Sequence, residues 1–202
     1  MKEIIMEIER YAVEENIPIM EKDSISFIMK YIKTNNIKTI LEIGGSIGYS
    51  SILMANALEG SNASITTIEP DSEDYMECLK NVKKCGLDKK INVVCQDALD
   101  LNLVGVEYDL ILLDASNGKF IDLFEKFQYF VSDEGVIITD NLKPLHLMNK
   151  KSKLDKEDIA DLTEKIEGYI TFLKDNENFT TKFYDIGDGL SVSTKKGNED
   201  SI

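Results

Sequence analysis

Apolar residues early in the chain recur at helical spacing. Over residues 2–15, Ile4, Ile5, Ile8, Tyr11 and Ala12 share one face, which predicts an amphipathic helix. Ile17-Pro18-Ile19-Met20 breaks it, because a residue before proline avoids the helical region. Asp23 or Ser24 can cap a second helix, in which Ile25, Ile28, Met29 and Ile32 fall at i, i+3, i+4 and i+7. The period then changes. Strand-like runs at 38–43, 64–69, 91–95, 108–114 and 134–140 alternate with helical patterns after 47, after 72 and after 118. In the last of these, Phe120, Leu123, Phe124, Phe127, Phe130 and Val131 form one apolar stripe, read as a core face. A long helix over about 155–174 turns Ile159, Leu162, Ile166, Tyr169, Ile170 and Leu173 inward. Residues 179–184 and 190–194 read as a closing hairpin, and the tail is expected to fray from Lys195.

Strands alternating with helices imply an α/β fold, a parallel sheet covered on both faces. The runs Tyr108 to Leu113 and Gly135 to Ile138 read as its buried central strands. The 202 residues suffice for one domain: a helical cap over 1–36, a core over 37–196 and a tail over 197–202. No apolar run reaches bilayer length and the N-terminus is no signal peptide, so a cytoplasmic location without membrane contact is expected. Cys78, Cys85 and Cys95 form no CxxC pair and His146 is the only histidine, which argues against zinc. A net charge of −14 argues against broad nucleic-acid binding, though not against a local basic patch.

Chemistry concentrates where strands end. Leu41-Glu42-Ile43-Gly44-Gly45-Ser46-Ile47-Gly48-Tyr49-Ser50 joins a strand to a helix through glycines, which let backbone approach a ligand at a helix N-terminus. Its spacing departs from the GxGxxG of dinucleotide binders and resembles the E-x-G-x-x-x-G turn of S-adenosylmethionine-dependent methyltransferases. Five predicted strands end in, or just before, an acid: Glu42, Glu69, Asp97, Asp114 and Asp140. So much negative charge at one edge needs ligands or a cation to answer it. Glu69, at the end of the second strand, is placed to accept both ribose hydroxyls of an adenosyl group, or else to cap the next helix, which Asp71 could do instead. Asp97-Ala98 would lie beside the adenine, or Asp97 is a plain loop residue. Asp114, Asp140 and Asn141 offer two carboxylates and an amide, hard oxygen donors suited to Mg²⁺; strand-end caps are the alternative.

Glu42-Ile43-Gly44 to Ser50, Asp114-Ala115 and Thr139-Asp140-Asn141 together resemble the cation-dependent class I O-methyltransferases, which include catechol and caffeoyl-CoA methyltransferases. Tyr11-Ala12, Ile17 to Lys22 and Ile186 to Ser193 resemble more narrowly the bacterial tRNA 5-hydroxyuridine methyltransferases, and the similarity runs from about Tyr11 to Lys196. The resemblance implies a Rossmann-like, mostly parallel, doubly wound seven-stranded sheet with a C-terminal antiparallel hairpin and extra N-terminal helices. It implies an S-adenosylmethionine site at Met20, Gly44, Ser50, Glu69, Asp97 and Ala98, with Glu42 as the acid of the turn. It further implies Mg²⁺ on Asp114, Asp140 and Asn141, with Asp114 also near the methionyl amine, and a homodimer. The substrate implied is 5-hydroxyuridine at the tRNA anticodon wobble position, methylated to 5-methoxyuridine.

Two departures from that pattern matter. The family's usual lysine, three residues after the first metal aspartate, is Asn117 here, and an amide is no general base. Lys119 could reach in, the reaction could proceed without a base, or activity could be lost. In addition, the arginine-rich stretch of relatives is replaced by Lys143, Lys150, Lys151, Lys153 and Lys156, interleaved with Asp155, Glu157 and Asp158. These lysines can hold phosphates as point charges, or form a solvated loop. Small-molecule O-methyltransfer to catechol-like oxygens, S-adenosylmethionine binding without catalysis, and a nicotinamide-dependent dehydrogenase are the rival readings. The glycine spacing and the metal trio oppose the last.

Overall fold

The computed structural model describes residues 1–60, 62–114, 118–143 and 156–197, of Lys156 the backbone only. Helices α1 (Lys2–Glu15) and α2 (Lys22–Thr34) come first. Then follow β1 (Thr39–Ile43), α3 (Tyr49–Ala57), β2 (Ser64–Ile68), α4 (Ser72–Lys84) and β3 (Ile91–Val94). The second half holds β4 (Tyr108–Leu113), α5 (Phe120–Phe127), β5 (Val131–Thr139), α6 (Lys156–Asp175), β6 (Phe179–Tyr184) and β7 (Leu190–Lys195). The strands form one seven-stranded sheet in the order β3-β2-β1-β4-β5-β7-β6. Its first five members are parallel, and β7 and β6 add an antiparallel hairpin at one side.

The chain starts mid-sheet, winds outward through β2 and β3, and returns to lay β4 on the other side of β1. That reversal opens a crevice beyond the carboxyl ends of β1 and β4. Both faces of β4 are covered, which is why its sequence is a continuous apolar run. Leu110 and Leu112 face a core built with α1 to α4, whereas Ile111 and Leu113 face a second core with α5 and α6. Aromatic rings dominate the second. Phe124 meets Phe172 and Phe179 with centroids 5.5 and 5.2 Å away, and Phe120 stacks on Tyr169 at 5.2 Å. The Tyr169 hydroxyl shares a 2.8 Å hydrogen bond with Thr139, so α6 is fastened to the last residue of β5.

Three local expectations are corrected. The stripe expected to continue to Val131 ends as α-helix at Phe127, and a 3-10 turn over Gln128–Phe130 follows. Val131 instead opens β5, three residues before the expected strand, opposite Tyr108 and ahead of a register shift. Gly135 permits that bend, since a Cβ there would stand 2.7 Å from Val131 and 2.9 Å from the Tyr108 carbonyl. The tail is ordered further than expected: Lys195 pairs with Phe179, and the Lys196 N–H donates to the Asn178 carbonyl at 2.9 Å. Neither Asp23 nor Ser24 caps α2; Glu21 stands at its N-cap without a side-chain bond. Asp71 does cap α4, accepting from Glu73 and Asp74 N–H at 2.8 and 3.0 Å. Among the described residues, no helix is long and apolar enough to cross a membrane.

Phe124 is fully buried among three other rings, whereas Phe130 is only half-buried. Phe124→Ala is expected to cost about 3–5 kcal/mol of unfolding free energy. Phe130→Ala should cost distinctly less, as measured by chemical denaturation of both variants.

Candidate active site

Pairing registers bring the strand ends level. Ile43 lies opposite both Ile68 and Leu113, and Leu113 opposite Thr139. The residues that follow these strands, Gly44, Glu69, Asp114 and Asp140, are thus delivered to one edge. Gly44 and Gly45 lie across the end of β2, both donating to the Ile68 carbonyl at 3.0 and 3.2 Å. Gly44 and Gly48 have φ of 94° and 86°, a region that penalises any side chain. A Cβ on Gly48 would also stand 2.8 Å from the Cys78 sulfur, and one on Gly45 would collide with the Thr67 hydroxyl. No side chain caps the N-terminus of α3, so its first N–H groups face the turn. A small cavity there is lined by Met20, Gly44, Ser50 and Asp114, four residues expected at the cofactor site, with Ile19 and Tyr49 among the others.

The acids differ sharply in environment. Glu42 is completely buried and receives the hydroxyls of Ser50 and Ser51. Burial pushes its carboxyl above the usual carboxylate range, against the lowering effect of the Ser50, Ser51 and Thr67 hydroxyls. Glu42 thus clamps the start of α3 to β1 from behind, as a support of the turn rather than a ligand-facing group. Glu69 accepts from Ser46 N–H at 2.8 Å and Asp71 N–H at 2.9 Å, one on each oxygen. Each oxygen keeps a second lone pair, as binding two vicinal ribose hydroxyls requires. Burial raises its pKa while the two N–H bonds lower it.

Asp97 opens a 3-10 turn and accepts from Leu99 N–H at 2.8 Å, so the modest structural role weighed for it is present. Ala98 is buried in the second core. The Lys119 ammonium stands 3.7 Å from Asp97. The ion pair shown for Lys119 is therefore at the end of β3, not at the metal trio.

Backbone pairing sets Asp114 and Asp140 at neighbouring strand ends, and a side-chain bond joins Asn141 to Asp114. Asp114 N–H donates to the Ile43 carbonyl at 2.9 Å and Asp140 N–H to the Leu113 carbonyl at 3.1 Å, extending the ladder into the crevice. Asn141 has a left-handed φ of 68°, and its amide donates to the Asp114 carboxylate. A cation between the two would take the place of that N–H, with the amide turned by about half a turn to present its oxygen. Two carboxylates and an amide oxygen fit a hard divalent ion. Among the described residues, no group of three His, Cys, Asp or Glu could hold a metal ion. Asp140 is 1% exposed and accepts the Ser24 hydroxyl at 3.2 Å.

Several participants were not visible in the sequence. Ser51 had a signal, standing beside Ser50 at a helix start. Ser24 reaches Asp140 across 116 residues, which no local pattern encodes. Lys143, expected to face phosphate, donates to the Gly187 carbonyl at 3.3 Å and pairs with Asp185. Asn117, Lys150, Lys151 and Lys153 lie outside the described residues, as does the side chain of Lys156.

The family model described as O-methyltransferase matches residues 1–196. Tapetum-specific methyltransferase 1 of Arabidopsis thaliana is 36% identical over 141 residues, which are 66% of this chain and 59% of that protein. The matched stretch thus spans less than two thirds of that relative. Flavonoid 3',5'-methyltransferase of Vitis vinifera is 26% identical, covering 95% of this chain and 83% of its own. A Staphylococcus aureus crystal structure, provisionally described as a caffeoyl-CoA O-methyltransferase, superposes with a TM-score of 0.85. It is 27% identical, over 95% of this chain and 91% of that one.

The buried Glu42 carboxyl makes stability pH-dependent. Its folded pKa is raised, so the fold binds its proton more tightly than the unfolded chain does and loses stability as pH climbs from about 4.3 through the folded value. Glu42→Gln removes this slope. The unfolding free energy of the variant should gain on that of the parent across this window and then level off, as read by chemical denaturation at several pH values. A difference independent of pH would contradict the assignment.

Proposed function

The chain belongs to the O-methyltransferase family, and on that premise we propose that it transfers a methyl group from S-adenosylmethionine to an acceptor hydroxyl, assisted by a divalent cation on Asp114, Asp140 and Asn141. The observation that carries this reading is the junction of β4 and β5, where the Asn141 amide meets the Asp114 carboxylate beside the glycine turn. A cation bound there would lower the pKa of the acceptor hydroxyl and favour its oxyanion. The rest falls to the chain's own groups. Gly44 and Gly45 let the backbone approach the methionyl part of the donor, and Met20 supplies an apolar wall. Glu69 takes the ribose hydroxyls with its remaining lone pairs, and Asp97 borders the adenine. Asp114 lies where it can reach both the cation and the donor's amine. Catalysis is then mainly positioning: sulfur–carbon bond breaking and carbon–oxygen bond making are held in line, and the hydroxyl proton passes to solvent.

For the acceptor, the resemblance of Tyr11 to Lys22 and Ile186 to Ser193 to the tRNA 5-hydroxyuridine methyltransferases supports 5-hydroxyuridine in tRNA, whose enol-like hydroxyl ionises readily without a lysine base. A second reading, a small molecule with catechol-like vicinal oxygens, is favoured by two observations. The net charge is −14, and Lys143 is held by Asp185 and Gly187 instead of being presented to a phosphate backbone. The flavonoid methyltransferase among the relatives is consistent with this second acceptor class.

The deciding measurement uses labelled S-adenosylmethionine with Mg²⁺ or chelator, offering 5-hydroxyuridine tRNA and catechol separately. Chelator-sensitive label in 5-methoxyuridine is the expected result; label on catechol alone selects the second reading. Asp140→Asn should slow transfer about a hundredfold or more, with S-adenosylhomocysteine binding retained. Absence of transfer to either acceptor by the Mg²⁺-loaded parent protein, with the donor bound, would refute the enzymatic reading.

A further inference from the structure

Resting on the reading of Asp140 as a cation ligand, we infer that Ser24 is the positioning residue that aims the Asp140 carboxylate, and that Gly187 is a glycine to leave room for it. Ser24 lies in the first turn of α2, where a serine ordinarily caps the helix. It does not: the helix begins at Lys22, behind an N-cap Glu21 that makes no side-chain bond. The Ser24 side chain is fully buried and its hydroxyl donates to Asp140 Oδ1 at 3.2 Å. Packing alone asks only for a small residue there; a buried hydroxyl is costly unless bonded. Its bond to Asp140 is what that hydroxyl is for.

The far side of Ser24 supports the assignment independently. Gly187, at φ 51°, approaches so closely that a Cβ would overlap the Ser24 hydroxyl and stand 3.3 Å from the Glu21 Cβ. Any side chain at 187 would push the hydroxyl off its line to Asp140. The loop bearing Gly187 is fastened to the same strand end. Leu142 N–H donates to the Gly189 carbonyl at 3.1 Å and Lys143 N–H to the Asp188 carbonyl at 2.8 Å. Asp140 is thereby held by a neutral donor from α2, braced from the hairpin loop. A neutral hydroxyl fixes the orientation of a ligating carboxylate without cancelling the charge that attracts the cation, which a lysine or arginine would do. Outer partners of metal ligands commonly govern affinity in this way.

The test titrates the full-length protein with Mn²⁺, a paramagnetic substitute for Mg²⁺, and reads the free ion by its spin resonance signal. Ser24→Ala should weaken Mn²⁺ binding about ten- to a hundredfold. Its S-adenosylhomocysteine affinity should stay that of the parent. Gly187→Ala, which keeps the hydroxyl but displaces it, should weaken Mn²⁺ binding in the same direction. Parental Mn²⁺ affinity in Ser24→Ala overturns the inference and leaves Asp140 standing as a ligand. Parallel loss of Mn²⁺ binding, S-adenosylhomocysteine binding and thermal stability overturns it in favour of a packing role. A parent protein that binds S-adenosylhomocysteine but no Mn²⁺ overturns both this inference and the cation reading beneath it.

Discussion

Strand β1 sits between β2 and β4, and its pairing with both is the constraint on which the crevice depends. Ile43 is level with Ile68 on one side and with Leu113 on the other. Because side chains alternate between faces, a slip of one residue would exchange the two cores and turn Leu110 and Leu112 towards the wrong helices. Register is therefore fixed by packing on both faces at once. A consequence for the chemistry is that one register delivers the glycine turn, Glu69, Asp114 and Asp140 to the same level. Hydrophobic burial, which has no directional preference, acquires one through the pleat.

Gathering acids at one edge would be unfavourable if each carried a full, unanswered charge. Each meets a different answer. Glu42 is fully buried, which raises its pKa, and two serine hydroxyls donate to it. Glu69 is met by two backbone N–H groups, Asp114 by the Asn141 amide and Asp140 by the Ser24 hydroxyl. Asp97 combines a turn-capping bond with the Lys119 ion pair. Ser24, Asn141 and the two backbone N–H groups meet these carboxylates without bringing a charge of their own.

The alternation of strands and helices, the parallel sheet and the closing hairpin were all legible in the sequence, because period and β-branching are local signals. Gly44, Ser50, Met20 and Asp114, singled out in the sequence, line one cavity in the structure. What escaped was non-local. The end of α5 at Phe127 was hidden because Phe130 and Val131 continue the helical apolar spacing into a strand. Ser24 looked like a helix cap because caps are recognised by position, while its actual partner is set by tertiary packing. For Lys143 too, composition reports a charge but not the Gly187 carbonyl that its ammonium turns towards.

The hairpin of β6 and β7 has a further consequence for how the site comes into being. Strand β5 carries the Asp140-Asn141 pair, yet one of its edges stays bare until β7 arrives, more than fifty residues later in the chain. The loop ahead of β7 is also what braces Ser24, a residue made near the beginning of synthesis. A growing chain can thus set the glycine turn, Glu69 and Asp114 in place early, from α1 through β4, whereas the support of Asp140 by Ser24 and the Gly187 loop comes with the last strand. The molecule's two ends meet where that order is completed.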